Sequence, residues 1–176
     1  MRFHFLIIGV FTVICFSSAA CIGEEDKPIG MDAGPTKAFE KWLRIMENND
    51  YESMWNQLSI SAKERFRYAW DDEKESLSKS SKAFKDSFMK TYGFQSWDEL
   101  QNEKAEEFFV RAMGNYPKTE LPRKYEILKK AKIHDINYVD GGTACILTFL
   151  DEDGSPLPMK MKMLREGSNW KVVRLP

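Results

Sequence analysis

The chain has 176 residues, 13% of them aromatic, and 26 Lys and Arg stand against 27 Asp and Glu for a net charge of −1. A near-neutral chain lacks the excess of cations that phosphate neutralisation requires, so nucleic acid is not an expected partner. The aromatic content excludes wholesale disorder, and about 140 residues beyond the amino-terminal region are enough for one well-buried core.

The chain opens "MRFHFLIIGVFTVICFSSAAC". One basic residue, Arg2, precedes an apolar run from Phe3 to Phe16, and the small residues Ser17 to Ala20 follow. That is the order of a secretory signal. The run is shorter than the roughly 20 apolar residues a spanning helix needs, and no later segment comes closer. The exit differs from an ordinary cleavage site because Cys21 stands directly behind it. The stretch "SAAC", Ser18 to Cys21, resembles the lipobox of bacterial lipoproteins, with Ser18 where that family usually carries Leu or another aliphatic residue. The resemblance implies that residues 1–20 are removed and that Cys21 is lipidated. Two or three acyl chains there would anchor the protein firmly, since each buried methylene contributes about 0.8 kcal/mol. Ile22 behind the cysteine, rather than an acidic residue, resembles an outer-membrane address.

Without residues 1–20 the chain keeps one histidine, His134, and two cysteines, Cys21 and Cys145. Lipid on Cys21 leaves Cys145 without an intrachain partner, so no disulfide framework is expected. Zinc sites built from several Cys and His ligands are excluded by count, no acidic stretch has EF-hand spacing, and no metal or cofactor is expected.

"IGEEDKPIGMDAGP", Ile22 to Pro35, has no apolar periodicity and reads as a flexible tether, making 21–35 a linker and 36–176 one domain. In "TKAFEKWLRIMENND", Phe39, Trp42, Leu43 and Met46 mark one face of a helix. Asp50 caps a second, with Tyr51, Met54, Trp55 and Leu58 on one side. "SAKE", Ser61 to Glu64, has capping-box spacing and opens a longer helix carrying Phe66, Ala69 and Trp70. The polar run "DDEKESLSKSSK", Asp71 to Lys82, predicts a break or loop and a solvated face before Phe84 and Phe88. Gly93 ends that region. "SWDE", Ser96 to Glu99, predicts another start, for a last helix with Leu100, Phe108, Ala112 and Met113 inward, stopping near Gly114.

The periodicity then changes. Strands are predicted around Ile133 to Val139 and over Thr143–Leu150, Leu157–Leu164 and Asn169–Leu175, joined by "DGG", "DEDGSP" and "EGS". The spacing predicts an α+β fold, with amino-terminal helices packed on a curved antiparallel four-stranded sheet. Met159, Met161 and Met163 alternate with Lys160 and Lys162, so the methionines face the helices.

Two passages carry a resemblance: "AFEKWLRIMENNDYESMWNQLS" (38–59) and "KMKMLREGSNWKVVRL" (160–175). They resemble bacterial lipoproteins with a nuclear transport factor two-like, or cystatin-like, domain, over roughly 36–176 with 71–120 poorly matched. The resemblance implies a cone-shaped cavity between helices and sheet. Some relatives place a carboxylate or histidine in it for isomerase or dehydratase chemistry, while others bind ligands or partner chains. No family catalytic residue transfers, because no position here matches a family motif.

His134 is the side chain whose ordinary pKa lies near neutrality. Strict alternation puts His134, Ile136 and Tyr138 on one face, where His134 would be a general base beside Tyr138, with Asp135 next in the chain. Lys130 and Lys132 share its parity, so an exposed face or a bulge fits the pattern equally. Cys145 lies mid-strand without a cationic neighbour and reads as core. The methionine row reads as core or as an adaptable pocket wall. Trp42, Trp55, Trp70, Trp97 and Trp170 read mostly as core. The favoured expectation is a membrane-anchored lipoprotein of the cell envelope with a non-catalytic domain. Its expected partners are the membrane, through the lipid, and a small apolar ligand or an envelope protein. The alternatives are a pocket enzyme using His134 and a purely structural envelope protein.

Overall fold

The computed structural model describes residues 33–115 and 121–174; the expected leader, Cys21 and most of the tether lie outside the described residues. Helices come first: α1 (Ala33–Glu47), α2 (Tyr51–Gln57), α3 (Ile60–Lys79), α4 (Lys82–Tyr92), α5 (Trp97–Asn102), α6 (Ala105–Asn115) and α7 (Leu121–Lys130). The strands β1 (Lys132–Val139), β2 (Ala144–Leu150), β3 (Pro156–Glu166) and β4 (Asn169–Arg174) follow. They form one antiparallel sheet in the order β1-β2-β3-β4. The fold is α+β, with helices packed on a four-stranded antiparallel meander.

The first helix starts at Ala33, inside the stretch that composition assigns to the tether. Proline is tolerated in a first helical turn, where its missing N–H has no partner to lose. Gly34 packs so tightly on Trp170 that a Cβ there would lie 2.6 Å from the indole Nε1. The helix start is therefore set by contact with the last strand, which local composition cannot report. Helix α2 begins as expected: Ser53 N donates to Asp50 Oδ1 at 3.0 Å.

The next cap corrects the expectation. Ser59, not Ser61, opens α3, its Oγ accepting from Ala62 N at 3.1 Å. Ser59 is held there because its own N–H donates to Val172 O at 2.8 Å, beside a parallel bridge between Leu58 and Val172. The polar run does not break α3 where expected. The helix continues to Lys79, because Phe66, Trp70 and Leu77 keep one buried stripe at helical spacing. It yields only at Ser80, and Ser81 caps α4. Gly93, at φ 74°, ends α4 as expected.

The expected last helix is two. Ser96 caps α5, Glu99 N donating to Ser96 Oγ at 3.1 Å, and the chain breaks at Glu103 before α6. The freed carbonyl of Glu103 accepts from Trp70 Nε1 at 2.9 Å. Arg111 then clamps the junction. Its Nε reaches Glu103 Oε1 at 2.7 Å, its Nη2 reaches Glu99 Oε1 at 2.9 Å, and its guanidinium lies 4.3 Å from the centre of the Phe94 ring. Helix α7 goes unforeseen, although it brings Leu128 into the core.

The inner face of the sheet is read from the register. Ile136, Leu147 and Met161 lie in one row across the strands, and Tyr138, Cys145, Met163 and Val172 in the next. Met161 and Met163 face the helices and are buried, and Met159 is partly buried against the core. Three strand spacings separate the two edge strands by about 14 Å in a flat sheet. Yet the Tyr138 and Trp170 rings, from β1 and β4, are 5.9 Å apart. The sheet curls, and the helices fill its concave side.

Candidate functional site

The sequence points to His134, Asp135 and Tyr138 on β1. In the register Ile133 lies opposite Phe149 and Asp135 lies opposite Thr148, so His134 is the extra residue of a β-bulge. A bulge resets alternation. Ile133, Ile136 and Tyr138 share the concave face, while His134 is exposed. Asp135, three residues before Tyr138, lies on the opposite, convex face in a row with Thr148 and Lys160. Tyr138 is buried against Trp170. Alternation without the bulge would have brought His134 and Tyr138 together; the structure separates them.

The space between helices and sheet holds the protein's own side chains. Met54, Trp55, Cys145, Leu147, Phe149, Met161 and Met163 are each at most 1% exposed and belong to one continuous core. Burial pushes the Cys145 thiol up to about 12, so the reactive thiolate is suppressed there. Trp42, Trp55, Trp70 and Trp170 are buried. Trp97 is half-buried, with Lys85 Nζ 4.8 Å from its ring centre. Among the described residues no cluster of His, Cys, Asp or Glu side chains is placed to hold a metal ion. None of the described helices is long and apolar enough to cross a membrane.

Two features escape sequence reasoning. The first is Glu73, inside the polar run. It lies three residues after Trp70 and four before Leu77, on the buried stripe of α3. Its Oε1 is shut off from water with no hydrogen-bond partner among the described residues, and burial raises its carboxyl from 4.5 to about 7. The signal was its helical phase, hidden by the charges on either side. The second is a group of cations around the end of α2. Lys63 Nζ and the Arg67 guanidinium lie 5.6 and 5.9 Å from the centre of the Trp55 ring, and Lys171 Nζ donates to Asn56 O at 2.7 Å. Lys41 of α1 is close enough to act electrostatically on Lys171. These residues come from three separate elements, so no local pattern announces them.

No protein-family model, no curated protein and no solved structure matches the chain.

Proposed function

We propose that the chain is a lipid-anchored, non-catalytic binding domain of the bacterial cell envelope, tethered through Cys21 and working through its surface. The observation that carries this reading is the order of the amino-terminal parts. An apolar run and small residues lead to Cys21, and the first described helix begins at Ala33. Ile22 favours the outer membrane as the site of the anchor.

The non-catalytic part is supported by the placement of the ionisable groups. General acid–base chemistry needs the proton-transfer groups within hydrogen-bond reach of one substrate position. His134 is exposed on a bulge, Asp135 lies on the convex face, and Tyr138 is buried on the concave one. The burial of Met161 and Met163 favours an outward-facing partner site over an apolar pocket. The finer fold reading is a nuclear transport factor two-like, or cystatin-like, domain. Helices preceding a curled meander, with Trp170 and Lys171 in its last strand, support it.

The anchor is tested by growing bacteria that express the full chain with a labelled fatty acid. Label in the wild-type protein and its extraction into a detergent phase are expected, with both lost in Cys21→Ala. An unlabelled wild-type protein, or label that persists in Cys21→Ala, overturns the reading.

A further inference from the structure

We propose that Lys41, Lys63, Arg67 and Lys171 form a docking face for anionic lipid headgroups, which turns this side of the domain toward its membrane. The inference rests on the proposed anchor at Cys21, which supplies the membrane.

The four cations are drawn together from α1, α3 and β4. Lys63 and Arg67, one turn apart on α3, cover the ring of the buried Trp55, whose π-face favours cations. Lys171 donates to a carbonyl in the last turn of α2, where the helix dipole favours positive charge. Among the described residues none of the four makes an ion pair, although the domain elsewhere pairs Lys74, Lys79, Arg111, Lys129 and Lys130. Their charge is felt. Burial first, then the charges of Lys63 and Lys41, lower the Lys171 ammonium from its ordinary value, while Glu166 opposes them. Glu166 is itself engaged, accepting from Ile60 N at 2.7 Å. Glu166 keeps its negative charge in that hydrogen bond, and the patch sets four cations against this one carboxylate acting on Lys171.

The position of that place selects the ligand. Lys41 lies seven residues, about 10 Å, along α1 from Gly34. Gly34 itself meets Trp170 of the strand that carries Lys171, so the patch is built on the helix and strand nearest the point where the chain leaves for Cys21. Twelve residues at about 3.5 Å each keep the domain within roughly 40 Å of the bilayer. At that range a basic patch meets headgroups at high effective concentration, and each cation near an anionic surface strengthens binding about 5-fold.

The test uses the chain from residue 21 onward with Cys21→Ser, which keeps every core residue among the described residues. It contains neither leader nor lipid. Flotation compares neutral phosphatidylcholine vesicles with vesicles containing about a third phosphatidylglycerol, at about 0.05 M and 0.3 M salt. Binding is expected only to the anionic vesicles and is expected to fall with salt. Lys41→Gln with Lys63→Gln lowers it about 25-fold, Lys132→Gln with Lys160→Gln leaves it unchanged, and Glu64→Lys beside the patch raises it about 5-fold or more. A gain in Glu64→Lys confined to the anionic vesicles separates added charge from misfolding, which would expose apolar surface to neutral vesicles as well. Three outcomes overturn the proposal: no binding to anionic vesicles, equal binding to neutral ones, or an equal loss in the Lys132/Lys160 variant. The labelling of Cys21 reads the anchor separately, so each can fail without the other.

Discussion

Where α3, α4 and α6 meet, Trp70 stacks on Phe108 with centroids 3.7 Å apart, and Phe88, Tyr92 and Phe94 ring the same phenyl group. Against the concave sheet the aromatic contacts are fewer, Phe149 on Phe39 and Tyr138 beside Trp170, and the middle of the sheet is Cys145, Leu147, Met161 and Met163. The two halves of one core therefore obtain their geometry differently. Aromatic pairs have preferred distances and angles, and an indole N–H demands a partner, so the helical half is specified by its side chains. In the sheet the ladder hydrogen bonds already fix the backbone, and flexible methionines fill what is left. The difference separates positions that dictate structure from positions that accommodate it.

The largest expected effect tests that contrast. Trp70→Ala removes the stack and leaves the Glu103 carbonyl without its indole donor. It should cost about 3–5 kcal/mol, in the range of large-to-small aromatic changes. Met161→Leu in the sheet, a volume-conserving change at an equally buried position, should cost less than about 1.5 kcal/mol. Urea unfolding midpoints at unchanged slope measure both. Equal losses would break the comparison, because the sheet core would then be as closely specified as the aromatic one.

Glu73 sharpens it from the helical side, with a smaller effect and a pH signature. Its carboxyl titrates near 7 in the folded chain against an ordinary 4.5. Below about 4.5 both states hold the proton, and stability carries no penalty from this group. Between about 4.5 and 7 the unfolded chain releases it while the folded chain retains it, so stability falls as pH rises across that window and levels off above it. The group is partly open to solvent, so the discounted loss is about 1–2 kcal/mol. Glu73→Gln should recover that amount at pH near 8 and flatten the slope between pH 5 and 7, read from unfolding midpoints across pH. An unchanged slope would mean that the folded chain lets Glu73 reach water.

These two positions also show what a sequence discloses. The four strands, their order, the inward methionines and the cap at Asp50 were legible, because each rests on contacts between near neighbours in the chain. Three element boundaries were not. The start of α1 depends on Gly34 meeting Trp170, and the cap at Ser59 depends on Val172. The break at Glu103 coincides with the point where its carbonyl takes the Trp70 indole N–H. Each is decided by a partner more than 30 residues away. The polar run of α3 misled for a different reason. Its charges outnumber its apolar residues, yet Leu77 continues the buried stripe that Phe66 and Trp70 begin. The candidate site was less legible than the fold, since one bulge residue changed which side chains share a face.

That bulge carries the smallest expected effect. His134 is the unpaired residue of an edge strand, held between the Ile133–Phe149 and Ile136–Leu147 pairs, both of which lie on the buried face. The flanking backbone and apolar contacts therefore maintain the irregularity, and the exposed imidazole adds little to them. His134→Ala should change stability by less than about 0.5 kcal/mol, as surface substitutions usually do. A bulge at an edge also hinders further strands from adding there, and this protection belongs to the backbone, so His134→Ala should remain as monodisperse as the parent in light scattering. A loss above about 1 kcal/mol, or new association, would show that the side chain itself holds the bulge. The sheet half would then have a position specified by its side chain, as Trp70 is in the helices, at one of the three places where the strand register shifts.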